Sequence, residues 1–351
     1  MNNFFFFALF ICSILSILII DLQFIGKSKH VISLKESAIL TTIWVLLAIG
    51  FYFIIYFYGE QIHRINNINA LFEYKTKFAP YLKIFPDNYL KSLLIYRKSI
   101  ATDYLTGYLM EYTLSIDNIF IIMIILTGFS VDPKNYKHVL FWGILGAIVL
   151  RFLFIFTGAV LIQKFNWILL IFGSFLLYSG IKMVIDRNKN EKIDVKNHWL
   201  VKFLSRHFRI TKNFEKYHFF VKKSTKFFIT PLFVVLIIIE FTDLIFAFDS
   251  IPAIFSVTQD PCIVFFSNIF AILGLRSLFF LLIKSVEVFR FLKIGVSFLL
   301  AFVGFKLLFH NFLVRIGFKN VYSLFIILTT LILSILFSIF IPRKKLKHNL
   351  I

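Results

Sequence analysis

Cysteine is nearly absent: Cys12 and Cys262 are the only two in 351 residues, far apart and each set among apolar neighbours. That excludes a disulfide scaffold and gives no support to a thiolate metal site of the CxxC kind. Seven prolines and 14 glycines are too few for a collagenous chain or for Pro/Gly-rich disorder. Charge is scarce as well, at 16% of residues, where soluble domains average about 25%. Acids are scarcest of all, 18 against 38 Lys and Arg, for a net charge of +20. In a soluble chain that excess would point to nucleic acid. Here 59% of residues are apolar and the mean hydropathy is +0.86, so the basic residues are read first as topology determinants of a membrane protein.

Long apolar runs are what the chain has instead. Crossing about 30 Å of hydrocarbon takes roughly 20 mostly apolar residues, and nine windows qualify: 4–25, 38–58, 101–128, 138–162, 165–186, 230–257, 262–284, 291–309 and 321–341. The fold class expected is therefore an all-α polytopic membrane protein of about nine transmembrane helices. The first run has no basic n-region and carries Asp21, so it reads as a helix and not as a cleaved signal peptide. Thr230-Pro231 and Asp260-Pro261 each place a capping oxygen before a proline at the first helical position. Of the 38 Lys and Arg, 24 fall on one side of this arrangement and 10 on the other. That bias puts the basic loop 187–229 and the tail Arg343, Lys344, Lys345, Lys347 in the cytoplasm. Loop 59–100 carries seven basic residues on the other side, and its Phe72, Phe78, Leu82, Phe85, Leu90 and Leu94 fit a segment dipping into the interface.

The middle of the chain repeats itself. Glu111, five residues, Asp117 and Asn118 match Asp243, five residues, Asp249 and Ser250; downstream, Leu150-Arg151 matches Leu275-Arg276, Ser174 matches Ser297, and Gly180-Ile-Lys182 matches Gly304-Phe-Lys306. The unit is three helices, an odd number, so the second copy enters from the opposite face and the repeats are inverted, a transporter design with its site at the repeat interface. The expected organisation is two leading helices and an amphipathic connection (1–100), a first repeat (101–186), the basic loop (187–229), a second repeat (230–310), and a last helix with basic tail (311–351).

Acids within spans are expensive. Each costs about 2.5–3.5 kcal/mol at a helix centre, so Glu111, Asp117, Glu240, Asp243 and Asp249 must face protein, protons, water or a cation. Arg151 and Arg276 are the charge partners on hand, and two arginines do not neutralise five acids. In a straight helix Glu111, Ser115 and Asn118 share a face, with Asp117 about 120° away. Pro252 removes a helix hydrogen bond beside Asp249 and Ser250. Carboxylates with Asn and Ser oxygens are hard ligands, suited to Mg²⁺, Ca²⁺ or Mn²⁺. Most of the histidines, His63 among them, lie in loops or the tail and are given no ligand role. No nucleotide-binding loop and no Gly-x-Gly-Asp of an intramembrane protease is present, and no enzyme is expected.

Thr106-Gly-Tyr-Leu-Met-Glu111, Ser115-Ile-Asp-Asn-Ile-Phe120, Glu240-Phe-Thr-Asp-Leu-Ile-Phe-Ala-Phe-Asp-Ser-Ile-Pro-Ala-Ile-Phe255, Thr258-Gln-Asp-Pro261 and Ser267-Asn-Ile-Phe-Ala-Ile-Leu-Gly-Leu-Arg276 resemble the TerC family of integral membrane proteins, in its long Alx-type form. Segment 66–100 is longer than that family's usual connection. The resemblance implies export of Mn²⁺ under metal stress, in a group whose names include tellurite resistance. It implies ion handling at Glu111, Asp117, Asn118, Asp243, Asp249 and Ser250, with Glu240 next as metal ligand or proton relay. Some relatives are linked instead to membrane-protein assembly, the alternative reading. The expected partners are a metal ion, the lipid bilayer and, through the basic loop, a membrane protein; no nucleic acid and no tightly bound cofactor are expected. The expected place is a bacterial inner membrane with the C-terminus cytoplasmic.

Overall fold

Polar residues at the ends of apolar runs set where the helices begin. The computed structural model describes residues 10–14, 16, 17, 33–165, 167–185, 203, 205–211, 213–215, 217–223, 226–283, 291–318 and 320–340. Helix α1 (Leu34–Tyr58) opens on a capping box in which the Ser33 hydroxyl accepts from the Glu36 amide at 3.2 Å and the Ser33 amide donates to the Glu36 carboxylate at 2.8 Å. A short α2 (Glu60–His63) and α3 (Ile68–Phe78) follow, and Asn67 caps the latter. Asn88 caps α4 (Tyr89–Gly128), which ends where Ser130 turns left-handed and its amide reaches the Thr127 carbonyl at 2.9 Å. Asp132, followed by a proline, caps α5 (Pro133–Lys164), and α6 is Ile168–Ile185. A ribbon of β1 (Phe220–Lys223) and β2 (Lys226–Ile229) precedes α7 (Pro231–Phe255) and α8 (Pro261–Ile283). Then come α9 (Leu292–Leu308), α10 (His310–Arg315) and α11 (Asn320–Phe340).

Among the described residues α1, α4, α5, α6, α7 and α8 are long and apolar enough to cross a membrane, and α9 and α11 are shorter apolar helices. The run 4–25 and the tail 341–351 lie largely or wholly outside the described residues. An all-α polytopic membrane protein fits. Exposed Phe53 and Phe57 on α1, Leu153 on α5 and Ile171 on α6 form an apolar exterior suited to lipid.

The lead helix corrects the sequence boundary, starting at Tyr89 and not at 101. Lys91, Arg97 and Lys98 lower the hydropathy of its first turns, yet the same turns bury Tyr96 and Ile100 completely. Forty residues make a rod of roughly 60 Å. Helix α8 is buried almost throughout and packs on α4, α1 and α5. Helices α6 and α9 run antiparallel in very close contact. A Cβ on Gly180 would sit 2.7 Å from the Ser297 carbonyl oxygen and one on Gly304 would sit 2.7 Å from the Gly173 carbonyl oxygen, so only glycine lets these backbones meet.

Segment 59–88 folds over one end of the bundle. The Arg97 Nε donates to Glu60 at 2.6 Å, Tyr89 donates to the Ile65 carbonyl at 2.9 Å, and Tyr81 donates to buried Asp103 at 2.9 Å. Leu82 packs inside the protein and Phe78 is half-buried, so they do not dip into lipid as expected; Phe72, Phe85, Leu90 and Leu94 are exposed and remain free to do so. Burial would push the Asp260 carboxyl up, but His63, the Cys262 amide and the Tyr74 hydroxyl outweigh it and hold Asp260 below the usual carboxylate range.

The β ribbon lies at the opposite end, where Phe219 stacks on His138 of α5 (ring centroids 4.7 Å apart) and Phe220 packs on Phe233 of α7 (4.6 Å). It occupies the end of the expected basic loop, whose residues 187–202 lie outside the described ones. Thr230 does not cap α7 through its side chain. Its hydroxyl donates instead to the His218 carbonyl at 2.8 Å and ties the ribbon to the helix start.

Candidate functional site

Four helices carry polar side chains into the interior, and several of them meet at one arginine. On α4, Glu111, Ser115 and Asn118 stand four and three residues apart, which keeps them on one face, and all three are buried. Helix α5 supplies Arg151, α7 supplies Glu240, Asp243 and Ser250, and α8 supplies Asn268. Arg151 is wholly buried and is the hub. Its Nη1 pairs with Glu111 and donates to the Asn268 side-chain oxygen at 3.0 Å. Its Nη2 and Nε donate to the two Asp243 oxygens at 3.2 and 3.4 Å. Asn118 Nδ2 lies 3.5 Å from Asp243.

One guanidinium therefore joins an acid of α4 to an acid of α7, 132 positions apart in sequence. Arginine suits this because its planar fork presents five donors and keeps its charge when buried. At 3.2 Å and an effective dielectric of 20, a pair of unit charges attracts by about 5 kcal/mol. The arrangement still leaves oxygens over. Glu111 Oε2, Ser115 Oγ, Glu240 Oε2 and Ser250 Oγ are buried without a hydrogen-bond partner. Buried oxygens without a protein partner call for a water or an ion, and these four are hard donors.

Glu240 and Asp243 also line a pocket of about 30 Å³ with Gly143, Ala147 and Ile239, room for about one water. Asp243 is 13% exposed where Glu111 and Arg151 are at 0%, so the pocket meets the site at Asp243. Gly146 makes space for Glu240, since a Cβ there would fall 2.2 Å from its carboxylate. Gly146→Ala should displace the Glu240 carboxylate, the end of a flexible side chain, at little net cost in stability, since alanine gains about 0.5–1 kcal/mol over glycine inside a helix; a thermal midpoint far below wild type would mean that the carboxylate has nowhere else to go.

Of the residues singled out in the sequence, Glu111, Asn118, Asp243 and Arg151 meet in the structure, with Glu240 and Ser250 on the same helix as Asp243. The side chains of Asp117 and Asp249 lie outside the described residues. Arg276 is buried on α8, two turns beyond Asn268. Helix α7 continues through Pro252 to Phe255 and is not ended there. Asn268 was missed; an amide in the middle of an apolar run was the available signal. His63 was placed in a loop without a role, but it ends α2 and its Nε2 lies 3.1 Å from Asp260.

A family model described as "Integral membrane protein TerC family" matches residues 96–346. A protein of Escherichia coli K12 named "Putative membrane-bound redox modulator Alx" is 49% identical over 212 residues, 60% of this chain and 65% of that protein. The chain thus spans just under two thirds of that relative's length. An uncharacterised membrane protein of Myxococcus xanthus is 38% identical over 85% of this chain and 81% of its own. One of Rickettsia felis is 37% identical over 97% and 99%. No solved structure matches the chain.

Proposed function

This chain belongs to the TerC family of integral membrane proteins, and from that premise we propose a secondary transporter that exports a divalent cation, Mn²⁺ before others, through the site around Glu111 and Asp243. The observation that carries the reading is the meeting of those two acids on one buried guanidinium, with one Glu111 oxygen left unpartnered there and further unpartnered oxygens of Ser115, Glu240 and Ser250 on the same two helices. Unpartnered carboxylate and hydroxyl oxygens are the donors Mn²⁺ and its hard neighbours take.

The seam between α6 and α9 supports inverted repeats. The repeat pairs Gly180 with Gly304 and Ser174 with Ser297, so the contact of Gly180 with Ser297 and that of Gly173 with Gly304 are close to images of one another. Packing of α5 on α7 and of α8 on α4 crosses between the copies in the same way. In this reading Arg151 is a resident counter-charge, and cargo entering beside Asp243 competes with it for the carboxylates. Metal binding requires deprotonated ligands and so releases protons; Glu240, on the pocket wall, is the residue placed to exchange one. The positive-inside bias puts the β ribbon and basic loop in the cytoplasm, and export is the direction the family resemblance implies. The inner membrane of a bacterium is the compartment this orientation fits.

The test is transport by the purified full chain in sealed vesicles loaded with a metal-sensitive dye. Mn²⁺ should enter protein-containing vesicles at several times the rate of empty ones, with proton movement the other way; equal rates would remove the proposal.

A further inference from the structure

At the end of the bundle away from the β ribbon, three side chains that take no part in the central site converge. His63 closes α2, Asp260 precedes α8 and Cys262 stands in its first turn; one ligand atom from each lies within 4.8 Å of the others. Asp260 is wholly buried. Its Oδ1 accepts from the Cys262 amide at 3.0 Å and its Oδ2 accepts from the Tyr74 hydroxyl at 3.1 Å. His63 Nε2 is buried 3.1 Å from Oδ2 without hydrogen-bond geometry. The other ring nitrogen, Nδ1, is 2.8 Å from the Tyr96 hydroxyl, which itself donates to the Gly59 carbonyl at 3.4 Å. Nδ1 is thus backed by the Tyr96 oxygen, and Nε2 is the ring nitrogen turned toward the Asp260 carboxylate. A metal-bound histidine has this arrangement, its second nitrogen held by an oxygen behind it.

We propose that His63, Asp260 and Cys262 form a binding site for a divalent cation of the Zn²⁺ class, which clamps α2 to the start of α8. The donor set decides the class. One imidazole nitrogen, one carboxylate oxygen and one thiolate sulfur make a borderline, four-coordinate set once a water or a tyrosine oxygen is added, and they suit Zn²⁺, Co²⁺ or Cd²⁺ better than Mn²⁺. The lone cysteine, which carries no weight by CxxC spacing, gains a role because folding brings a histidine from 199 positions away beside it. The site differs from the central one in residues, in ligand chemistry and in end of the bundle, and it stands whether or not the chain transports Mn²⁺.

Cobalt alone is the probe. The purified full chain, with Cys12→Ser to remove the other thiol, is titrated with Co²⁺ in detergent. The expected spectrum has the visible bands of four-coordinate Co²⁺ and a thiolate-to-cobalt charge-transfer band, both erased by one equivalent of Zn²⁺. Cys262→Ala should remove the charge-transfer band. Asp260→Asn, which keeps a good helix cap, should weaken Co²⁺ binding at least ~10-fold, no less than loss of an outer-shell partner does. Asp243→Asn should leave the spectrum as it was. As a check that needs no variant, Zn²⁺ should protect Cys262 from maleimide. Absence of the charge-transfer band with Cys262 intact, or maleimide labelling unaltered by Zn²⁺, would overturn the proposal.

Discussion

Arg151→Gln is expected to cost about 3–5 kcal/mol of stability, the loss seen when one partner of a buried ion pair is removed and the other charge stays behind. Here two charges stay behind, because Glu111 and Asp243 both lean on the same guanidinium. The thermal midpoint of the detergent-solubilised protein should fall steeply, and Mn²⁺ should raise it more in the variant than in the wild type, since the cation would take over the neutralising role. Removing the opposing charge as well is the sharper measurement. Arg151→Gln with Asp243→Asn should recover about 1 kcal/mol or more relative to the sum of the single changes, the coupling expected of directly bonded residues. Additive losses would mean that the arginine is held by packing and that its charge is incidental.

Asp243→Asn and Glu111→Gln should each lower Mn²⁺ flux in vesicles by ~100-fold, about 2.7 kcal/mol. Both replacements keep the shape of the side chain, so Arg151 retains a hydrogen-bond acceptor while the site loses a negative charge. Asp243 touches the pocket, and its loss should act mainly on the cation concentration needed for half-maximal flux. Glu111 is sealed from it, and its loss should act on the maximal rate. Asp132→Asn is the control, since Asp132 is exposed at the start of α5 and Asn still caps a helix; its flux should match wild type. Equal flux in all three would place transport elsewhere in the protein.

Apolar runs made the helices legible, because a membrane leaves few other ways to satisfy a backbone. The pairing of α4 with α7 was legible through the repeat of acids. What escaped did so for definite reasons. The first turns of α4 carry lysine and arginine, and hydropathy does not register a helix that protrudes. The ribbon of Phe220–Lys223 and Lys226–Ile229 has a strand signature, Phe-Phe-Val and Phe-Phe-Ile flanking Ser-Thr, but the surrounding positive charge resembles that of a basic loop. Spacing along one helix aligned Glu111, Ser115 and Asn118; no spacing could reveal that Arg151 would choose both Glu111 and Asp243. His63, Tyr74, Tyr96 and Asp260 come from four separate segments, and only the folded chain makes them neighbours.

The length of α4 couples distant parts of the molecule. Tyr96, under the His63 cluster, and Glu111, at the centre, stand on one uninterrupted helix 15 residues apart, roughly 22 Å. At that separation no single ion touches both places. A stiff rod nevertheless obliges its ends to swing together: a tilt that parts Glu111 from Asp243 carries Tyr96 and Arg97 with it and pulls on whatever grips α2. Anything that fastens the outer end therefore acts as a brake on the inner one, at a distance and without contact.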